Sequence, residues 1–188
     1  MKRAGGGKAK GSAFERQACK DLSLWVTAGQ RDDCLWRSAM SGGRATLNAK
    51  KGKNLIAHVS GDICATHPDG HPLIELFYIE CKFYKDLKLA QLVTSTGGPV
   101  AKFWEVAREQ AAIHHKLPML ILKQNMLPAI LGISRAAESR LTPSVYGCTG
   151  LAVIPSIGLS LYDYHAFLSA VPLKPVQMAV ITRRSLVP

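Results

Sequence analysis

Residues 77–84, FYIECKFY, place the strongest constraint on the fold. Side chains along a strand alternate between its faces. Phe77, Ile79, Cys81 and Phe83 therefore share one face and can anchor the strand in a core, while Glu80 and Lys82 share the other. An acid and a base on an otherwise apolar strand are costly if buried idle. They make sense where the strand borders a cleft and both charges face a ligand or a metal. A second largely apolar run, VSGDICA at 59–65, carries Asp62. Two carboxylates and one ammonium group thus come from adjacent strand-like segments.

That set matches the needs of phosphodiester hydrolysis, in which a cation neutralises developing charge and activates water. Mg²⁺ prefers oxygen ligands and takes one or two carboxylates besides water and phosphate. Asp62 and Glu80 fit that supply, and Lys82 can orient the attacking water or offset phosphate charge. The bland alternative is a structural salt bridge. The segments 55–66 and 73–84 are expected to form a hairpin around Pro68-Asp69-Gly70, a turn signal. In the simplest such hairpin Asp62 faces residue 77, about 10 Å along the strand from Glu80. A bulge or bend at Gly61, or a lopsided turn, is then required to bring the carboxylates together.

The chain has 188 residues, 24 Lys and Arg against 13 Asp and Glu, and a net charge of +11, which implies a polyanionic partner. Ribosomal, membrane-surface and nuclease proteins share that charge, so it does not specify chemistry. A hydrophobic content of 47% excludes global disorder. No apolar run of about 18 residues predicts a membrane span, and MKRAGGGKAKGS lacks the apolar segment of a secretory signal. A cytoplasmic location, the host's if the source is viral, is expected, in association with the nucleoid. The cysteines (Cys19, Cys34, Cys64, Cys81, Cys148) contain no C-x-x-C pair, so reduced thiols are expected rather than disulfides or structural zinc.

Residues 1–11 interleave Lys and Arg with glycine and read as a flexible basic arm, either a solubilising tail or a phosphate contact. Residues 12–28 show helical spacing of Phe14, Ala18, Leu22 and Val26, with a capping-box pattern from Ser12 to Glu15. A short strand is expected at 34–38. A basic loop near 42–56 carries Arg44, Lys50, Lys51 and Lys53. A helix at 101–115 and a buried strand at 117–123 follow. Beyond residue 126, PAILGIS, GLAVIP and MAVIT read as short strands and LYDYHAFLSA as a short helix. His114 and His115 point in different directions on a helix and form no shared ligand site. His58 reads as structural or as an auxiliary acid. The three tryptophans read as core or interface residues.

Four blocks in order resemble the archaeal-type Holliday junction resolvases of the PD-(D/E)XK nuclease superfamily: GSAFERQACKDL, LWRSAMSGG, GDICA and IECK. A softer fifth block, FWEVAREQAAIHHKLPMLILK, extends the similarity over residues 11 to 123. The resemblance implies an α/β fold, a central mixed β-sheet flanked by helices in a restriction-endonuclease-like nuclease core. That core would span 12–125, with 126–188 as a C-terminal extension packing on it. Asp62 and Glu80 would be metal ligands, the backbone carbonyl of Cys81 a third contact, and Lys82 the catalytic lysine. Glu15 would complete the acidic cluster, unless it only serves the capping box. Arg16 and Arg37 would contact DNA phosphates, Ser41 would flank the cleaved strand, and Lys85 would extend the phosphate track. The family further implies Mg²⁺, with Mn²⁺ able to substitute, and a homodimer matched to the symmetry of a four-way junction in DNA recombination and repair. Departures are the extra residues 45–60, Met40 where glycine is usual, and the longer tail. The alternatives are another nuclease of the superfamily acting on duplex or single-stranded DNA, and a non-catalytic basic nucleic-acid-binding protein.

Overall fold

The computed structural model describes residues 6–38, 59–141, 145, 148–171 and 173. Helix α1 (Gly6–Val26) is followed by strands β1 (Leu35–Arg37), β2 (Val59–Ser60) and β3 (Ile63–Ala65). Helix α2 (His71–Leu76) leads into β4 (Phe77–Tyr84). Helices α3 (Leu89–Ser95) and α4 (Gly98–Ile113) connect it to β5 (Leu117–Gln124). Then come β6 (Ala129–Ile133), α5 (Arg135–Leu141), β7 (Gly150–Ile154), β8 (Leu159–Asp163) and α6 (Tyr164–Ala170).

The main sheet runs in the order β4-β5-β6-β8-β7. Strands β4 and β5 are parallel and the other pairs antiparallel, so the sheet is mixed, as expected. A small antiparallel sheet, β1-β3-β2, lies beside it. On one face Phe77, Ile79, Cys81, Met119 and Ile121 pack against Ala18, Cys19 and Leu22 of α1 and Phe167 of α6. On the other, Leu120, Leu122 and Leu161 pack against Leu92 of α3 and Val100 and Trp104 of α4. Each such large apolar side chain contributes roughly 1.5–3 kcal/mol by leaving water. Trp104 is fully buried, and its indole N–H donates to the carbonyl of Ile157 at 2.9 Å, so no polar atom is left unmatched. Trp25 is likewise core, whereas Trp36 is half exposed.

The hairpin expected between 55–66 and 73–84 is not formed. Pro68 opens a 3-10 turn whose Asp69 N–H is capped by the His67 ring, and Pro72 lies in the first turn of α2. Proline there is preorganised for a helix, so the Pro-rich signal marks a helix start and not a strand reversal. Leu73, Ile74 and Leu76 are buried by that single turn. The crossover through α2 lets β4 run parallel to the chain at Gly61, joined by a bridge between Gly61 and Ile79.

Other expectations shift. Helix α1 begins at Gly6, so residues 6–11 of the expected flexible basic arm are helical, while residues 1–5 lie outside the described residues. Ser12 and Glu15 then lie inside the helix, which rules out the capping box. Helix α4 starts at Gly98-Pro99, earlier than residue 101, and ends where His115 turns left-handed (φ 54°) and Lys116 N–H closes on the Ala111 carbonyl. Strands β6, β7 and β8 continue the same sheet as β4 and β5, so the described residues of the expected C-terminal extension are part of that sheet and its core; residues 174–188 lie outside the described residues. The segment read as one helix, 161–170, is split: β8 ends at Asp163, whose carboxylate accepts from Ala166 N–H and starts α6. The strand expected at MAVIT, the basic loop near 42–56 and His58 lie outside the described residues. Among the described residues, no helix is long and apolar enough to cross a membrane.

Candidate active site

Gly61 holds the key to the local geometry. Its φ is +76°, a region open to glycine and strained for other residues. A Cβ built on it would stand 2.3 Å from the carbonyl oxygen of Ile79. Only glycine lets the two backbones approach so closely. The next residue is consequently clamped to the free edge of β4. Asp62 N–H donates to the Ile79 carbonyl at 2.8 Å, and Cys81 N–H donates to Asp62 Oδ2 at 2.8 Å. Ser38 N–H donates to the Asp62 carbonyl at 2.9 Å, tying the end of β1 to the same point.

This bridge removes the three-residue offset of the hairpin reading. Asp62 sits between Ile79 and Cys81, alongside Glu80. Lys82 Nζ forms an ion pair with Glu80 Oε1 and lies 4.0 Å from Asp62 Oδ2. The three charged groups therefore converge. The N–H and C=O of one strand residue leave on the same side. The Cys81 carbonyl therefore points along the edge on which Ile79 and Asp62 meet. Two carboxylates and a carbonyl, all oxygen donors, suit a hard divalent cation completed by water. Among the described residues no group of three or more His, Cys, Asp or Glu is placed to hold a metal ion, so side-chain ligands here would be limited to the Asp62 and Glu80 carboxylates.

The electrostatics follow from burial. Asp62 is 7% exposed, and desolvation, followed by the charge of Glu80, pushes its pKa up to about 6. The hydrogen bond from Cys81 and the charge of Lys82 work the other way. For Lys82, burial disfavours the charged form, but Glu80 and Asp62 outweigh it and raise the pKa. Lys82 is thus a cation and a donor, not a base. Because Asp62 has a raised folded-state pKa, the metal-free protein gains stability from its proton at low pH. The gain is complete below the unfolded value near 4 and is lost as pH rises through about 6. Two units correspond to about 3 kcal/mol. Urea unfolding in EDTA at pH 5 and pH 7 is expected to show this loss in the wild type. Asp62→Asn removes it, and an identical pH slope in both proteins contradicts the assignment.

Around this centre Glu15 of α1 accepts an ion pair from Arg37 Nε of β1 at 2.5 Å. Glu15 is near enough for its charge to add to the upward push on Asp62. Glu15, Arg37, Asp62, Glu80, Cys81 and Lys82 are therefore brought together, with Arg37 held by Glu15. Arg16 is exposed on α1, and Lys85 is exposed just past β4. Ser41, Arg44, Lys50, Lys51 and Lys53 lie outside the described residues. Sequence reasoning missed Tyr78, which the alternation places on the same face as Glu80. It is buried and stacks on His114 with ring centroids 5.6 Å apart. Burial and the neighbouring Glu80 and Asp62 carboxylates raise its pKa, so it stays protonated beside them.

A mixed sheet with helices on both faces, an Asp at a bridge and a Glu-x-Lys on the adjoining edge strand define a PD-(D/E)XK nuclease core. A family model described as "phage putative PDDEXK endonuclease" matches residues 6–141, and the chain belongs to that family. PD-(D/E)XK nucleases generally use divalent metal ions. No curated protein and no solved structure matches the chain.

Proposed function

We propose that the protein is a Mg²⁺-dependent DNA endonuclease that cuts branched DNA, with four-way junctions as the substrate and a symmetric homodimer as the active form. The observation that carries the reading is the clamp at Gly61, which sets the Asp62 carboxylate beside the Glu80–Lys82 pair. Asp62, Glu80 and the Cys81 carbonyl would hold the ion, and Mn²⁺ could replace it. When bound, the ion supplies charge neutralisation at the phosphate and a more acidic water. Lys82, kept protonated, offers a hydrogen bond and positive charge to the phosphate oxygens or the attacking water. Glu15 holds Arg37 at the rim, where its guanidinium can meet a phosphate. Arg16, Lys85 and the basic residues Arg44, Lys50, Lys51 and Lys53, with Ser41, would extend the contacts along the backbone. A cytoplasmic location fits such a substrate. The junction preference draws on the four-block resemblance to junction resolvases, and dimer symmetry would set two active sites on opposed strands.

Cleavage of a synthetic four-way junction is compared with that of a linear duplex of the same arms in Mg²⁺. The junction is expected to be cut at least tenfold faster, by paired nicks. Equal rates on both substrates remove the junction assignment and leave a general nuclease. No cleavage of any DNA in Mg²⁺ or Mn²⁺ favours a binding protein instead.

A further inference from the structure

The polar face of β4 does not end at Lys82. Tyr78, Glu80, Lys82 and Tyr84 follow one another on it, and exposure climbs along the row. Tyr78 is buried, the Glu80 and Lys82 side chains are 13% and 26% exposed, and Tyr84 is 46% exposed. The site therefore opens at the Tyr84 end. There a pocket of about 270 Å³ is lined by Gly7, Lys10, Phe83, Tyr84, Lys85 and Asn125. Phe103 of α4 supports the Tyr84 ring, with centroids 5.1 Å apart. Phe14 of α1 supports Phe83 edge-on at 5.8 Å. Lys88 is paired with Asp86 and Arg37 with Glu15, whereas Lys10 and Lys85 form no salt bridge among the described residues.

Braced aromatic rings with two available cations, one from α1 and one from the end of β4, suit a single nucleotide. A base stacks on the ring while its phosphate meets the lysines. A base inside a duplex already has both faces stacked and cannot use such a platform. Tyr84 lies two residues beyond Lys82, about 7 Å along the strand, so the nucleotide in the pocket would neighbour the phosphate at Lys82. We propose that this pocket binds one unpaired DNA nucleotide flanking the phosphate to be cleaved, with its base on Tyr84 and its phosphate between Lys10 and Lys85. The proposal rests on the reading of Asp62, Glu80 and Lys82 as the cleavage site. It predicts that DNA with an unpaired or unstacked nucleotide beside the cleaved phosphate is preferred over continuous duplex.

The test is binding of the full chain to a fluorescein-labelled single-stranded oligonucleotide and to a blunt hairpin duplex, both in EDTA so that nothing is cut. Tyr84→Leu is expected to weaken single-strand binding on the order of tenfold and to leave duplex binding within twofold. Tyr84→Phe keeps the ring and stays within twofold of wild type on both. Lys85→Ala, a surface change that does not threaten folding, is expected to lower the single-strand salt slope by about 0.7. Equal loss on both DNAs, no loss on either, or an unchanged salt slope overturns the proposal. If the wild type cuts no DNA yet shows Tyr84-dependent single-strand binding, the subsite stands and the nuclease reading falls.

Discussion

Gly61→Ala is expected to destabilise the fold by roughly 3–5 kcal/mol and to abolish cleavage. Two costs add. The left-handed backbone at φ +76° strains any residue with a Cβ. The new methyl would also stand 2.3 Å from the Ile79 carbonyl, and that atom cannot step aside. Ile79 is fully buried and paired to Met119 in the parallel ladder, so the strand is held from its far side. The chain at 61 must retreat instead, which breaks the Asp62–Ile79 hydrogen bond and draws the carboxylate away from Glu80. Gly158→Ala is the matched control. Its φ is +63°, but nothing lies within 4 Å of an added Cβ, so only strain of about 1 kcal/mol remains. Thermal melting is expected to drop by about 10 °C for Gly61→Ala and by a few degrees for Gly158→Ala. A Gly61→Ala protein that melts and cuts like the wild type would mean that Asp62 is not clamped to β4 at all.

The same glycine shows how far the sequence could be read. Alternation along FYIECKFY gave the faces of β4 directly, because a half-buried strand has a period of two whatever its partners. A bend at Gly61 was also legible as a need of the chemistry. The partner geometry was not. Pro-Asp-Gly reads equally as a turn and as the first turn of a helix, and Leu73, Ile74 and Leu76 fit one helical turn as well as a strand. Burial in the tertiary core decides between them. The Glu15–Arg37 ion pair joins elements 22 residues apart, and no local pattern reports such a contact. Glu15 instead mimicked a cap, because Ser12-x-x-Glu15 has that spacing even inside a helix that starts at Gly6. Strand β8 was hidden by fusion with α6, although Asp163, an N-cap residue, stood at the boundary. Tyr78 required only an extension of the alternation by one step, so its signal was present and passed over.

Asp62→Asn and Lys82→Ala are each expected to lower cleavage by a factor on the order of 10³ while leaving DNA binding within a few-fold of wild type. Their effects on stability should run in opposite directions, and this separates a built site from an idle salt bridge. Asp62 is a buried carboxylate with a raised pKa, pressed by Glu80 and short of compensating charge. Asparagine can still accept the Cys81 N–H but carries no charge to desolvate. At pH 8 Asp62→Asn should therefore match or exceed the wild type in stability. Lys82→Ala removes the cation that both carboxylates face and leaves two like charges in a half-buried pocket. Its stability should fall at pH 8 and recover toward pH 5, as a proton replaces the missing ammonium between Asp62 and Glu80. Urea unfolding in EDTA at both pH values, beside a cleavage assay in Mg²⁺ and a binding assay without it, gives all three readouts. A mere structural ion pair would behave otherwise: either substitution would cost stability, and cleavage, if present, would survive. Retained cutting by Asp62→Asn and Lys82→Ala together would place the reaction elsewhere on the protein.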